Sequence, residues 1–290
     1  MVKRPPKEYV LENETEKKLI QLPNGAKLRV LFLPPDKRTE ETKNIIFYSG
    51  FISYIYLWKE SIKLLRKNHS IIFIETREKE FCSFPPNEIR YDYDSLGEDF
   101  VQAMEVLKLD PMECVVTGSS VASVGVLEAM STHNYQPFLS VHSSPQAHYK
   151  ANNKPKVLAT YFPYWFVAMV KPIVFLIYKI KFRRDKESGI SRIHTLRRML
   201  QRSQMQWMKK LESFMPEYEM KKEAVKNINS PVVIVGAVDD PEHDSDSVRR
   251  LVELVPGAKF RPVPFKDDTH NENFAKIILE EIRDTLNSNG

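Results

Sequence analysis

Apolar residues fall along the chain in two textures. Four short runs are apolar at consecutive positions: Asn44–Ser49 (NIIFYS), Ser70–Glu75 (SIIFIE), Glu113–Thr117 (ECVVT) and Pro231–Gly236 (PVVIVG). A run with no polar alternation offers neither face to water, so it predicts a strand buried on both sides, as in parallel sheets. Between these runs the apolar positions recur every three or four residues, as with Leu96, Phe100, Met104 and Leu107 within Tyr93–Leu107, the stripe of an amphipathic helix. Helices are also predicted over Leu57–Lys67, Ser120–Met130, Ser245–Leu254 and Asn273–Leu286. Weaker strands are predicted over Phe138–Ser143 and Phe260–Pro264, and Lys18–Leu22 with Lys27–Phe32 read as a hairpin around Pro23-Asn24-Gly25. Strands alternating with helices specify an α/β chain, a mainly parallel, doubly wound sheet of about eight strands with helices on both faces.

The alternation breaks between residues 145 and 228, where no strand pattern stands out. This stretch reads as a mostly helical cap inserted between two parts of a core, 17–144 and 229–290, with residues 1–16 a charged, loosely held lead-in. The cap opens on the most hydrophobic segment of the chain, Tyr161–Tyr178 (YFPYWFVAMVKPIVFLIY). A bilayer span needs about 20 largely apolar residues, and Lys171-Pro172 interrupts this one with a charge and a missing backbone donor. The segment is expected at an interface or lining an apolar pocket. A basic stretch follows, with 11 Lys/Arg from Lys179 to Lys210 against Asp185 and Glu187, although the whole chain carries only +5. The cap is therefore the positive part of a chain that is otherwise net acidic.

With 290 residues, 42% of them hydrophobic and 28% charged, the composition is globular and excludes fibrous and wholly disordered classes. The modest net charge and the lack of any binding module argue against nucleic acid. Cys82 and Cys114 cannot make a disulfide framework, and the N-terminus leads into no apolar stretch, so a cytoplasmic setting is expected, with the cap allowing peripheral contact with a membrane. No phosphate-loop or dinucleotide signature occurs. The acidic residues from Asp239 to Asp246 lack the spacing and turn glycine of a calcium loop. No cofactor and no metal are expected.

Candidate chemistry sits at three strand ends. The strand at Glu113–Thr117 runs into Gly118-Ser119-Ser120-Val121-Ala122 and then a helix, the small-x-Ser-x-small pattern of a sharp strand-to-helix turn that exposes Ser120. A serine that merely caps a helix would leave the same trace. Ser119 cannot take the elbow, because Val121 would then occupy a flank that must be small. Asp239 follows the strand ending at Gly236, with Asp240 beside it as the alternative carboxylate, and Thr269-His270 follows the last strand. Among the seven histidines, His69, His133 and His194 occupy other positions, while His142 and His148 flank a neighbouring strand end and are the rivals of His270.

The order Ser120…Asp239…His270, each just past a strand, resembles the α/β-hydrolase fold family over roughly residues 18 to 287. The resemblance implies that Ser120 is a nucleophile, His270 its general base and Asp239 the acid that orients the imidazole. It also implies an oxyanion hole formed by the backbone N–H groups of Phe51 and Val121, since Ser49-Gly50-Phe51 stands where many of these enzymes have His-Gly-x. Ser49 and Ala122 depart from the usual His and Gly. Ser49, Gly50 and Ser119, with Trp165 and Phe166 from the cap, are expected to line the substrate pocket. The expected activity is serine hydrolysis of carboxylic esters with apolar or lipid-like acyl groups through an acyl-enzyme. An acyl-thioesterase or acyltransferase on the same residues, and a non-catalytic scaffold, are the alternatives. The basic cap suits an anionic membrane surface or the phosphates of an acyl carrier.

Overall fold

The computed structural model describes residues 10–85, 90–145, 154–181, 193, 195–201, 204–209, 222–239 and 245–289. Its centre is an eight-stranded sheet built from β1 (Glu16–Gln21), β2 (Lys27–Leu33), β3 (Asn44–Ser49), β4 (Ser70–Glu75), β5 (Cys114–Ser119), β6 (Leu139–Ser143), β7 (Val232–Asp239) and β8 (Lys259–Phe265). The spatial order is β1-β2-β4-β3-β5-β6-β7-β8. β1 and β2 pair antiparallel, as do β2 and β4, and every other pair is parallel. The helices are α1 (Val10–Glu14), α2 (Lys59–Leu65), α3 (Tyr93–Val106), α4 (Val121–Thr132), α5 (Lys154–Tyr161), α6 (Tyr164–Lys181), α7 (Lys222–Val225), α8 (Ser245–Leu254) and α9 (Glu272–Asn289).

Side chains along each central strand divide between two cores. Ile46 and Tyr48 of β3, Val116 of β5 and Ile234 of β7 pack with α3, α4 and α8 on one face. Ile45 and Phe47, Val115, and Val233 and Val235 face α2 and α9 on the other. This double burial is why these runs are apolar at every position. The α3 face also buries an ion pair, Arg77 with Asp99, in which Arg77 Nε donates at 2.6 Å to Asp99 Oδ2 and Nη2 bonds Oδ1. Asp99 Oδ1 additionally accepts from Asn24 in the β1–β2 turn at 2.8 Å.

The described end of the lead-in, from residue 10, is ordered against the core. Residues 10–14 form α1, and Leu11 and Glu12 are buried. Glu12 is drawn in by charge, bonding Arg29 of β2 and lying 3.3 Å from Arg198 of the cap. The predicted helix at Leu57–Lys67 begins as a 3-10 turn at Ile55–Trp58, and Ser120 stands just outside α4 as its N-cap. In the cap, among the described residues, all regular structure is helical, including 195–199 and 204–209. A third core of Ile52, Tyr54, Tyr56, Val167, Leu196 and Leu200 joins cap to sheet. No helix among the described residues is long and apolar enough to cross a membrane.

Candidate active site at the carboxyl ends of the strands

Ser120 joins β5 to α4 at φ 52°, ψ −126°, a backbone conformation that glycine adopts freely and that costs a side-chain-bearing residue about 1–3 kcal/mol. Two contacts hold it there. Ser120 N–H donates to Ser143 O of β6 at 3.0 Å, and Ser120 O accepts from Ser123 N–H at 3.1 Å. The small flanks are explained by close approach, since a Cβ on Gly118 would lie 2.6 Å from Ser123 Cα. Ala122 is fully buried, so the last flank tolerates one methyl. Among buried neighbours, Ser120 itself stays partly accessible.

Opposite the elbow, β3 ends at Ser49 and the chain turns through Gly50-Phe51-Ile52-Ser53, closed by Ser53 N–H to Gly50 O at 3.0 Å. Ile52 takes φ 62°, unusual for a β-branched residue. Gly50 N–H donates to Ser119 Oγ at 2.9 Å, and a Cβ on Gly50 would lie 2.3 Å from Ser119 O. Ser49 and Ser119, expected in the pocket, are both buried and committed to structure: Ser49 Oγ donates to Ile74 O at 3.2 Å, and Ser119 locks the turn to the elbow. Beneath the turn lies a residue that local sequence gave no reason to select. The fully buried Lys79 donates to Gly50 O at 2.6 Å, to Glu78 Oε1 at 2.9 Å and to Thr76 Oγ1 at 3.2 Å, which satisfies its three donors. Cis peptides are absent from the described chain. In the trans Gly50–Phe51 peptide the N–H of Phe51 points opposite the carbonyl that Lys79 grips. Val121 N–H, at the first position of α4, is one of the donors a helix leaves without an intrahelical acceptor.

His270 follows a 3-10 turn, Lys266–Thr269, which is braced by Asp268. The Asp268 carboxylate accepts from Phe265 N–H at 3.2 Å, Asn271 Nδ2 at 3.0 Å and Asn273 Nδ2 at 2.9 Å. Although partial burial opposes ionisation, these bonds hold its pKa below the usual carboxylate value. The imidazole packs on Trp58 at 4.5 Å between ring centroids. Its Nδ1 lies 2.7 Å from Thr269 Oγ1, whose hydroxyl proton is committed to Lys266 O at 2.7 Å. With the Thr269 hydroxyl proton on Lys266 O, its oxygen accepts from Nδ1–H, the tautomer that keeps the lone pair on Nε2. Ser61 Oγ lies 2.7 Å and 2.6 Å from the carbonyls of His270 and Asn271. From β6, Ser143 Oγ donates to Thr269 O at 2.9 Å. Ser143 thus holds both loops, with its carbonyl on Ser120 and its hydroxyl on the residue before His270.

Asp239 ends β7 in register with Phe265, the residue that opens the turn to His270. Asp240, His148 and His194 lie outside the described residues. The remaining rival, His142, is fully buried on β6, with Nε2 2.7 Å from Ser140 Oγ and burial lowering its pKa to about 3. Its neutral form is the folded one, whereas in the unfolded chain it titrates near 6.5. The stability this confers is complete above pH 6.5 and is lost as pH falls towards 3, at up to about 1.4 kcal/mol per pH unit. Urea unfolding midpoints of His142→Gln should fall less between pH 7 and 4.5 than those of the parent, and parallel curves would contradict this. Of the cap residues expected in the pocket, Phe166 is half-buried, with its ring stacked at 5.0 Å on Phe162, while Trp165 points outward at 68% exposure. Burial raises the pKa of both cysteines, which argues against thiolate chemistry. Among the described residues, no group of three or more His, Cys, Asp or Glu side chains is placed to hold a metal ion.

No protein-family model and no curated protein sequence matches the chain. Solved structures do. A candidate aryl esterase from Burkholderia cenocepacia superposes with a TM-score of 0.70 at 14% identity, covering 94% of this chain and 100% of that one. The meta-cleavage product hydrolase of Pseudomonas fluorescens gives 0.68 at 14%, over 96% and 100% of the two chains. The enol-lactonase of Burkholderia xenovorans gives 0.67 at 12%, over 93% and 100%. With its strand order, its strained serine between β5 and α4 and its histidine after β8, the chain has the α/β-hydrolase fold.

Proposed function

We propose that the protein is a serine hydrolase of carboxylic esters with apolar acyl groups, in which Ser120 is the nucleophile, His270 the base and Asp239 the acid. The observation that carries this reading is the double hold of Ser143 on the Ser120 elbow and on the His270 loop. His270 Nε2 takes the Ser120 proton as the oxygen attacks the ester carbonyl. Asp239 supplies the negative charge that stabilises the resulting imidazolium, whose Nδ1–H faces Thr269 Oγ1. The tetrahedral oxyanion is met by the N–H groups of Phe51 and Val121, and a donor of this kind contributes about 3–4 kcal/mol to the transition state. Collapse expels the alcohol, which takes the proton from His270. Water, deprotonated by the same imidazole, then releases the acid and regenerates Ser120. The buried apolar cluster of Ile52, Tyr54 and the inner face of α6, which begins at the turn after Gly50, supports an apolar acyl group, and the esterase and lactonase activities named for similar structures support ester cleavage.

A fluorophosphonate probe tests this directly. Labelling should be covalent, stoichiometric and confined to the peptide carrying Ser120, and a panel of p-nitrophenyl esters should be turned over with a preference for chains longer than acetyl. Folded protein that stays unlabelled, or that is labelled elsewhere, overturns the reading.

A further inference from the structure

Helix α6 carries apolar side chains on both its inner and its outer face, with Lys171 the one charge before its last turn. One face buries Val167 and packs Val174, Phe175 and Tyr178 on the core under the cap. The opposite face carries Trp165, Met169, Ile173, Leu176, Ile177 and Ile180, each between 55% and 68% exposed. Their spacing of three and four residues sets them in one stripe along about 23 Å of helix. Tyr161, Phe162 and Tyr164 stand exposed at its beginning. Lys179 and Lys181 flank its end on the two sides of the stripe. The sequence continues into Arg183 and Arg184, and between Glu128 and Asp185 it contains no acidic residue. An exposed apolar stripe of this length marks a binding face.

From this arrangement we infer that α6 docks the protein onto an anionic phospholipid surface, lying in the plane of the interface with the stripe among the acyl chains. Aromatic rings at one end and lysines at the other are the side chains that settle at the headgroup boundary. The absence of acidic residues removes the repulsion an anionic leaflet would exert. A second copy of the chain would cover the stripe equally well, and sedimentation velocity decides between the two. With Pro172 inside it, and no helix among the described residues long and apolar enough to cross, the helix lies on the bilayer rather than through it. The inference rests on the surface of α6 alone and stands or falls apart from the hydrolase reading, since its test measures binding. If both hold, ester substrates reach the site from the lipid phase.

The experiment is co-sedimentation of the full chain with vesicles of phosphatidylcholine containing phosphatidylserine, beside vesicles of phosphatidylcholine alone. The protein should pellet with the anionic vesicles and be released by salt. Brominated acyl chains should quench Trp165, while Trp58, buried in the core, is spared. The variant Met169→Gln/Ile173→Gln/Leu176→Gln removes only exposed side chains, so its melting temperature should stay within a few degrees of the parent's while binding is lost. Lys179→Gln with Lys181→Gln should weaken binding about 25-fold, from about fivefold per cation near the surface. No pelleting by the parent, or equal binding to both vesicle types, overturns the inference. So does a parent dimer in sedimentation velocity that the triple variant dissolves, because a second copy then covers the stripe.

Discussion

Replacing Ser120 by alanine should reduce ester turnover roughly a million-fold, the scale seen when a serine hydrolase loses its nucleophile, and should abolish fluorophosphonate labelling. Glycine at the same position should be equally inactive, but the two variants should differ in stability. Alanine keeps a Cβ and hence the cost of holding φ 52°, ψ −126°, whereas glycine adopts that conformation freely. Relief of about 1–3 kcal/mol, less about 0.5–1 kcal/mol for the freer unfolded chain, leaves Ser120→Gly roughly 1 kcal/mol more stable than Ser120→Ala. In a chain of this size that corresponds to about 2–4 °C in melting temperature. Equal melting temperatures would mean that the elbow holds no strain. Ser120→Ala retaining activity near the parent's would instead mean that the protein does not use this serine.

Whether a feature could be read from sequence depended on whether its cause was local. β3, β4, β5 and β7 were legible because burial on both faces makes every position apolar, and that pattern is contained within six or so residues. The first strand was placed late because Glu16, Lys17 and Lys18 lie exposed at the sheet edge, where nothing demands apolar side chains. The elbow was legible because close packing against Ser123 forces a glycine at 118. The roles of Ser119 and Ser49 were not, since proximity to the elbow suggested pocket walls. Their partners are Gly50 N–H and Ile74 O, 69 and 25 residues away in sequence. Ser143 and Lys79 carry no local signature at all: each acts on a carbonyl, Thr269 O and Gly50 O, that only the folded sheet brings near. The outward turn of Trp165 was not legible for another reason. A helix with apolar residues on both faces gives little hint of which one turns inward, and here the face bearing Trp165 turns out.

Lys79→Met should lower kcat about 10- to 100-fold while leaving KM nearly unchanged. The chain of cause runs through one peptide group. Lys79 Nζ holds Gly50 O at 2.6 Å with no exposure to solvent, in a medium where a charge–dipole bond is far stronger than in water. That bond fixes the Gly50–Phe51 plane and draws electron density toward the carbonyl, so Phe51 N–H is both aimed and made a better donor. The donor is used fully only when the oxyanion forms, so weakening it falls on the transition state rather than on ester binding. On the proposed mechanism Lys79 is a positioning residue rather than one that touches substrate. Its removal also strands Glu78, whose Oε1 lies 2.9 Å from the lost ammonium, and breaking one side of a buried pair costs about 3–5 kcal/mol. The double variant Lys79→Met/Glu78→Gln removes that charge and should recover most of the lost stability. If Lys79 orients the oxyanion donor, kcat and the rate of fluorophosphonate labelling stay depressed in the double variant although its melting temperature returns. If they recover together with stability, the lysine serves the fold alone.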